Sequence, residues 1–202
     1  MNGRIALACL ALVQGACSGG LPEQSGPRVR ADDPLASDGV VVDGERYPLS
    51  TAIGEVWGRT GIYPTHFNVD LTLADGRFLV TPIVVDGQDA SVREPSEASA
   101  VLRAELYDPG APSFAFADYI HVADPEAPGV IDALHFFTGA RLGVDSDGSG
   151  EVETEEMRDV VGGTIDFEGP SPDISLTFAL VLEDGASVVG RYGGFFEFIP
   201  LD

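Results

Sequence analysis

The chain has 202 residues, of which 44% are hydrophobic, and it carries a formal net charge of −22, with 33 acidic side chains against 11 basic ones. This length and composition allow a buried core to form and exclude broad disorder. The negative charge repels nucleic acid and anionic lipid headgroups, which excludes both as partners. It is compatible with calcium binding, with basic partners, or with a role in solubility alone.

Residues 1–16 are predicted to be a secretory signal peptide. Arg4 supplies the positive charge, residues 5–13 form a short apolar run, and small residues follow. The run is too short to span a bilayer and has the order of charge, apolar and small residues typical of an export signal. We therefore expect an exported protein.

Cys17 is the predicted lipidation site. The end of the signal resembles a bacterial lipoprotein signal, in which small residues precede a cysteine that is acylated; Gly15 and Ala16 fit, whereas Gln14 stands where an aliphatic residue is usual. The resemblance implies a membrane anchor, and Ser18 in place of an aspartate implies the outer membrane or the cell surface. A periplasmic or secreted protein is the alternative. Both cysteines of the chain lie in this segment, so no disulfide forms in the mature chain.

Residues 17–37 are predicted to be a flexible, lipid-anchored tether, because glycine, proline and charge dominate them and no apolar period is present. Residues 38–202 are predicted to form a β domain. The stretch HFNVDLTLADGRFLV alternates with period two, and Asp75 and Gly76 are expected to turn the chain as a tight hairpin. The same signals surround Asp43–Gly44 and Asp184–Gly185. The strand before Asp75 has two faces by this alternation. One face is apolar (Phe67, Val69, Leu71, Leu73) and the other is polar (His66, Asn68, Asp70, Thr72).

Further strands are predicted at residues 100–107, 114–122, 131–142, 163–167 and 186–198, with proline-rich loops between them. In residues 174–182 the side chains of Ile174, Leu176, Phe178, Leu180 and Leu182 share one face. Short strands with frequent turns predict an all-β fold, an antiparallel β-sandwich or barrel.

Two stretches carry a resemblance to a group of proteins. VDGERYPLS at residues 42–50 and the segment from GTIDFEG to GGFFEF at residues 163–198 resemble those of uncharacterised bacterial surface lipoproteins. The resemblance implies a signal, a tether and a β domain, and it implies no activity.

The acidic run DSDGSGEVETEEM, whose candidate loop is residues 145–156, resembles the calcium loop of the EF-hand family. Positions one, three, five, seven, nine and twelve, the ligand positions of that loop, are occupied by Asp145, Asp147, Ser149, Glu151 (through its backbone carbonyl), Glu153 and Glu156. Gly150 stands where the backbone must bend sharply, and Val152 is expected to anchor the loop to the body. Calcium (Ca²⁺) is therefore the predicted ligand; the alternative is an acidic turn without a metal.

The residues that flank the loop decide its type. Met157, Val160 and Val161 fall at helical spacing, and Gly162–Gly163 ends the pattern, so one short helix is expected after the loop. The segment before the loop lacks a helical stripe. A single loop between strands favours structural use of calcium over signalling.

Catalytic motifs for acyl transfer, phosphate binding and zinc proteolysis are absent from the sequence. His66 is expected on a solvated strand face, and His135 is expected to be partly buried. Asp118 and His121 resemble a ligand pair, but their odd spacing on a strand directs them to opposite faces.

The expected function is an exported, lipid-anchored, non-catalytic β-domain protein that binds one structural calcium ion. The first alternative is a carbohydrate- or lipid-binding barrel or sandwich. A deep apolar pocket would favour this alternative and a filled core would oppose it. The aromatic residues that could line such a site are Trp57, Tyr63, Tyr107 and Tyr192. The alternative is that these residues belong to the core. The second alternative is a hydrolase with a dispersed acid pair, marked by two carboxyl groups in a cleft.

Overall fold

The computed structural model describes residues 38–59, 63, 65–85, 87–110, 113–125, 134–169 and 172–201. The predicted signal peptide, the tether and Cys17 lie outside these residues. The described part of the chain has twelve strands and one 3₁₀ turn at Thr154–Glu156. The strands are β1 (Gly39–Val42), β2 (Glu45–Tyr47), β3 (Thr51–Gly58), β4 (His66–Ala74), β5 (Arg77–Val85), β6 (Gln88–Ser96), β7 (Ala100–Pro109), β8 (Asp118–His121), β9 (Phe136–Val144), β10 (Arg158–Glu168), β11 (Asp173–Leu182) and β12 (Ser187–Pro200). None of the described elements is a helix with the length and apolar character needed to cross a bilayer.

Eight strands close into a barrel in the order β11–β10–β8–β9–β7–β4–β3–β12, and β12 returns to β11. β1 and β2 extend the sheet from one side of β12. Most neighbours are antiparallel, but β12 runs parallel to β3 and β8 runs parallel to β9. The all-β prediction is confirmed, and of its two architectures the structure has the barrel, with a mixed rather than purely antiparallel sheet.

The interior of the barrel is filled by side chains that alternate along the strands. The predicted apolar faces are confirmed for all five residues of β11 and for Val69, Leu71 and Leu73 of β4, which are buried. Phe67, the fourth residue predicted on the β4 face, is only partly buried. Large rings also occupy the interior, among them Tyr119 and Phe137, which are fully buried. The described side chains on the inward faces therefore pack together as one core.

Two of the three predicted Asp–Gly hairpins are confirmed. Asp43 and Gly44 both have positive φ, 52° and 84°, as a tight two-residue turn between β1 and β2 requires. Asp184 and Gly185 connect β11 to β12, and Gly185 has a φ of 85°.

The hairpin predicted at Asp75–Gly76 is wrong. β4 already pairs with β3 on one edge and β7 on the other, so neither edge is open to β5. The bend instead directs the chain out of the barrel, where β5 and β6 pair only with each other as a two-stranded ribbon. The Asp75 carboxylate fixes this bend by accepting hydrogen bonds from the backbone N–H groups of Ser99 and Ala100 and from the Ser99 hydroxyl, at 2.6–3.1 Å.

The short helix predicted after the acidic loop is also wrong. Only the 3₁₀ turn Thr154–Glu156 forms, and the residues beyond it enter β10. Val160 is buried and Val161 is exposed, which is strand alternation rather than a helical stripe. β10 pairs with β11, β8 and β9, and these tertiary hydrogen bonds outweigh a weak local helical pattern.

Other strand boundaries differ from the predicted ones at their ends. The strand predicted at 114–122 is confined to β8, and the one predicted at 131–142 is displaced to β9. The strand predicted at 163–167 extends to the whole of β10. These differences follow from pairing partners that are distant in sequence.

Gly190 of β12 gives a test of the packing. It lies opposite Phe178 of β11, and a Cβ at this position would overlap the Phe178 ring in the core. We expect Gly190→Ala to lower the free energy of unfolding by about 1–3 kcal/mol, as overpacking does. Thermal melting should then shift down by roughly 2–4 °C per kcal/mol.

Gly162→Ala is the matched control for this substitution. Its Cβ would meet only Val181, at an ordinary 3.7 Å, and the backbone does not need positive φ there. Equal losses of stability in the two variants would contradict the packing described for Gly190.

Candidate metal site

The acidic loop connects β9 to β10 at one end of the barrel. Its first residue is fixed from outside, because the Asp145 N–H donates to the Ser99 carbonyl at 3.0 Å. Its last residues lead into the first pairs of β10 with β9, Arg158 with Leu142 and Asp159 with Arg141. The loop is thus a closed excursion between paired strands.

Asp145 organises the first half of the loop. Its Oδ1 accepts from the N–H groups of Gly148 at 2.8 Å and Ser149 at 3.0 Å, and its Oδ2 accepts from Gly150 at 2.8 Å. Gly148 and Gly150 have φ of 76° and 87°, so the bend predicted at Gly150 uses left-handed backbone as expected. The hydrogen bonds, that from Gly150 first, hold the pKa of Asp145 below its usual range.

Glu156 closes the loop from its far end. Its Oε1 accepts from the N–H of Ser146 at 2.7 Å and from the Ser146 hydroxyl at 2.6 Å. Its Oε2 accepts from the N–H of Glu153 at 3.1 Å. The Ser146 hydroxyl is the main reason that the pKa of Glu156 is lowered. Both end residues of the loop are therefore carboxylates at neutral pH.

Three of the six predicted ligands come together. Oxygens of Asp145, Asp147 and Glu156 lie within 4.8 Å of one another. This donor set fits a hard divalent cation, because calcium takes carboxylate and carbonyl oxygens and a bidentate glutamate at the last position. The three carboxylates gather on one side of the loop, and backbone N–H groups of the loop donate hydrogen bonds to two of them, Asp145 and Glu156.

The other three predicted ligands have different contacts. The Ser149 hydroxyl donates to the Glu151 carbonyl at 3.1 Å, so the oxygens of positions five and seven adjoin each other. Glu153 lies outside the group of three carboxylates, and its N–H is the donor to Glu156. The Glu151 side chain turns away from the loop and accepts from the Ser96 hydroxyl and the Glu97 N–H, both at 3.1 Å.

Val152 anchors the loop as predicted. Val152 and Met157 pack against a small cluster at the base of the ribbon, formed by Ala74, Ala98 and Val101 with Phe78. Gly143 of β9 makes this packing possible, since a Cβ there would collide with both Val152 and Met157.

The three histidines are all at least partly buried. The solvated position predicted for His66 is wrong, because its side chain is only 1% exposed and its ring packs edge-on against Phe136. Asn68, predicted on the same solvated face, is buried as well and donates to the Leu106 carbonyl at 3.2 Å. The rings of Tyr63 and Phe136, which pack against His66, cover this end of the outer face of β4. His121 is buried and faces away from exposed Asp118, as predicted, and burial lowers its pKa.

Asp108 forms a buried polar group that the sequence did not predict. Its side chain is fully buried and accepts from the Tyr119 hydroxyl at 2.6 Å and the Ala115 N–H at 2.9 Å, and it lies 2.6 Å from Nδ1 of His135. His135 is partly buried, as predicted. Burial and the Asp108 carboxylate raise the pKa of Tyr119. The group ties the end of β7 to the segments before β8 and β9. The sequence signal for this group was weak: an aspartate follows a predicted strand, and a tyrosine and a histidine occur in the next two predicted strands.

The candidate aromatic residues do not line one site. Tyr107 and Tyr192 are buried, and Tyr192 donates to the Phe195 carbonyl at 2.6 Å. Tyr63 packs edge-on against Tyr107 and Phe136, whereas Trp57 lies on the outer face of β3.

Comparisons of the chain with protein-family models, with curated proteins and with solved structures found no significant match.

Asp108→Asn tests the buried polar group. An amide offers one acceptor oxygen in place of two, and its NH₂ faces donors, so at least one buried partner loses its hydrogen bond. We expect the free energy of unfolding to fall by about 1–3 kcal/mol, measured by urea denaturation. Asp118→Asn, at an exposed position of β8, should change stability by less than about 0.5 kcal/mol. If the two variants are equally stable, the contacts of Asp108 contribute nothing to the fold.

Proposed function

We propose that this protein is an exported, lipid-anchored, non-catalytic β-barrel domain that binds one structural calcium ion in the loop of residues 145–156. The observation that carries the proposal is the convergence of the Asp145, Asp147 and Glu156 carboxylates within 4.8 Å. Their positions in the loop are one, three and twelve of a sequence that resembles an EF-hand calcium loop. Export and anchoring are supported by the signal-like segment before Cys17.

A bound calcium ion would neutralise carboxylates that otherwise repel one another. The chain's own residues prepare the loop for this. Asp145 and Glu156 are held in place by backbone N–H groups from within the loop. Gly148 and Gly150 supply the left-handed turns, and Val152 anchors the loop to the barrel. These contacts shape the loop around its carboxylates, and a bound ion would hold the loop in that shape.

Calcium in this position would also stabilise the base of the ribbon. The Glu151 side chain joins the loop to Ser96 and Glu97, where β6 ends. The Asp145 N–H joins it to the Ser99 carbonyl, two residues further on. Ordering the loop thus orders the connection from β6 to β7, which is the structural use of the ion that we propose.

The two alternative functions differ in their support. A ligand held inside the barrel is opposed by the side chains that fill the interior. For an acid-pair hydrolase one observation exists: Glu55 and Asp70 are cross-strand neighbours on the outer face, beside a cleft. Paired carboxyl groups are necessary for such hydrolysis but not sufficient, and the charge balance of that cleft favours binding of a cation.

Calcium is expected to raise the melting temperature of the purified domain. A single loop on an exported protein should bind weakly, with a Kd on the order of 10⁻⁴ to 10⁻³ M. At a hundredfold excess over Kd, linkage adds roughly 2.7 kcal/mol. A thermal melt in calcium against one in chelator should therefore show a rise of several degrees. An unchanged melt would contradict the proposal.

The variants separate metal binding from loop structure. Glu156→Gln and Asp145→Ala should remove most of the calcium-induced shift, whatever they do to stability in chelator. Glu155→Gln should retain the shift, because position eleven supplies no ligand. Glu151→Gln should also retain it, since its backbone carbonyl is unchanged. Equal losses in Glu155→Gln and Glu156→Gln would identify the run as an acidic turn.

The lipid anchor is tested separately. Mass spectrometry of membrane fractions from cells that express the full chain should find an acylated N-terminal cysteine at Cys17, and Cys17→Ser should release the protein from the membrane. An intact Met1 on a cytosolic protein would refute export. A soluble periplasmic form would refute only the anchor and would leave the calcium proposal unaffected.

A further inference from the structure

A cleft lies between the ribbon β5–β6 and the outer face of the barrel. Its volume is about 270 Å³, close to the lower end of the range for ligand pockets. The barrel supplies its floor from β3, β4 and β7, and β6 supplies its wall through Val92, Arg93 and Glu94. The ribbon is held over the floor by two contacts: the Arg93 N–H donates to Glu55 Oε1 at 2.6 Å, and Glu94 pairs with Arg103 at 2.5 Å.

Three carboxyl groups cross the floor in one row. Glu55, Asp70 and Glu105 are direct cross-strand partners on β3, β4 and β7. Neighbouring strands are about 4.8 Å apart, so the three side chains leave the sheet at that interval. Like charges directly opposite one another on a sheet are destabilising. The fold therefore maintains an arrangement that costs stability.

Each carboxyl group is fixed in position by a neighbour. The Trp57 indole N–H donates to Asp70 Oδ2 at 2.7 Å, and the Tyr107 hydroxyl donates to Glu105 Oε2 at 3.0 Å. Glu105 lies over Gly139, where any Cβ would press on its carboxylate. Polar groups held in fixed positions on rigid strands are a property of binding sites.

Glu55 is the residue of the row to which the ribbon is bonded directly. The residue is only 8% exposed and lines the cleft. Its Oε1 accepts a hydrogen bond from the Arg93 N–H at 2.6 Å. Burial of a carboxylate disfavours its charged form, and a cation bound in the cleft would offset that cost.

The charges around the cleft do not balance. Four acidic residues (Glu55, Asp70, Glu94, Glu105) face two basic ones (Arg93, Arg103), and Arg103 is already paired with Glu94. In agreement, burial and the neighbouring Glu105 raise the pKa of Asp70 to about 6, and burial raises that of Glu55. Burial is the main cause of both shifts, and the negative charge of Glu105 adds to that of Asp70.

We propose that this cleft binds an alkylammonium group, with the row Glu55–Asp70–Glu105 accepting its N–H donors. A single bare ion suits the row less well, because among the described residues the oxygens that gather tightly enough for one belong to the acidic loop. An extended cation with several N–H donors matches acceptors spaced along a row. The Trp57 ring at the edge of the cleft adds a surface that attracts organic cations. The net charge of −22 would steer such ligands toward the protein.

The ligand group has two sources, a free polyamine or the lysine side chains of a basic protein. Calorimetric titrations at low salt distinguish these sources. One titration uses spermidine, and the other uses a short lysine-containing peptide whose N-terminus is acetylated and whose lysine side chains are free. Saturable binding of spermidine indicates a free amine, and binding of the peptide alone indicates a protein partner. Either result supports the site if the variants behave as follows.

Glu55→Gln and Asp70→Asn keep the hydrogen bonds from Arg93 and Trp57 but remove the charge, so the fold should be retained. Each should weaken binding by about tenfold or more, the effect of losing one charge-assisted hydrogen bond. Glu183→Gln, an exposed acidic position elsewhere, should change binding by less than about twofold, which controls for the overall charge. Glu156→Gln should leave amine binding unchanged, so the result is independent of the calcium proposal.

The pH profile supplies a second readout. An alkylammonium group stays protonated up to about pH 10, so changes below pH 8 come from the protein. Asp70 loses its charge as the pH falls through about 6, and binding should weaken there. This step should disappear in Asp70→Asn. The charged groups that face Asp70 are Glu55, Glu105, Glu94, Arg93 and Arg103. The proposal is overturned if neither probe binds saturably, or if Glu55→Gln and Asp70→Asn bind as tightly as the Glu183→Gln control.

Discussion

The parallel pairing of β12 with β3 is the constraint on which the rest of the structure depends. Residues 196–200 of the last strand pair with residues 52–56 near the beginning of the domain, while residues 187–195 of the same strand pair with β11. One long strand thereby joins both ends of the sheet and closes it. Closure removes the free edges of the ring strands and gives all inward faces one common core. Gly54 on β3, against the Phe196 ring, lets the two strands meet at this seam.

Closure around a filled core moves the polar chemistry to the outside and to the ends of the barrel. The acidic loop lies at one end, between β9 and β10, and the carboxyl row lies on the outer face of β3, β4 and β7. The ribbon β5–β6 contacts both. Its base receives the Glu151 side chain, and its wall covers Glu55 through Arg93. The bend at Asp75, which turns the ribbon out of the barrel, therefore positions both proposed sites.

The carboxylates of the described residues have different partners, and the two proposed sites follow from these differences. Asp108 is buried but has donors on several sides. Asp145 and Glu156 are surrounded by N–H groups, yet they remain close to another carboxylate, that of Asp147. Along the row, the ribbon is bonded to Glu55, and burial raises the pKa of both Glu55 and Asp70. We propose a cation for the acidic loop and for the row, because in both of them carboxylates lie beside one another.

The sequence by itself determined the features that depend on near neighbours. Period-two alternation identified the inward faces of β4 and β11, the positive φ that Asp–Gly accepts identified two hairpins, and loop spacing identified the bend at Gly150 and the anchor Val152. Tertiary structure decided the rest, because the deciding partners are distant in the chain. Pairing of β4 with β3 and β7 excluded a hairpin at Asp75 and buried His66, and pairing of β10 with β11 replaced a short helix by a strand. The carboxyl row exists only because barrel register sets Glu55, Asp70 and Glu105 side by side, and register is fixed by the whole sheet rather than by any one strand.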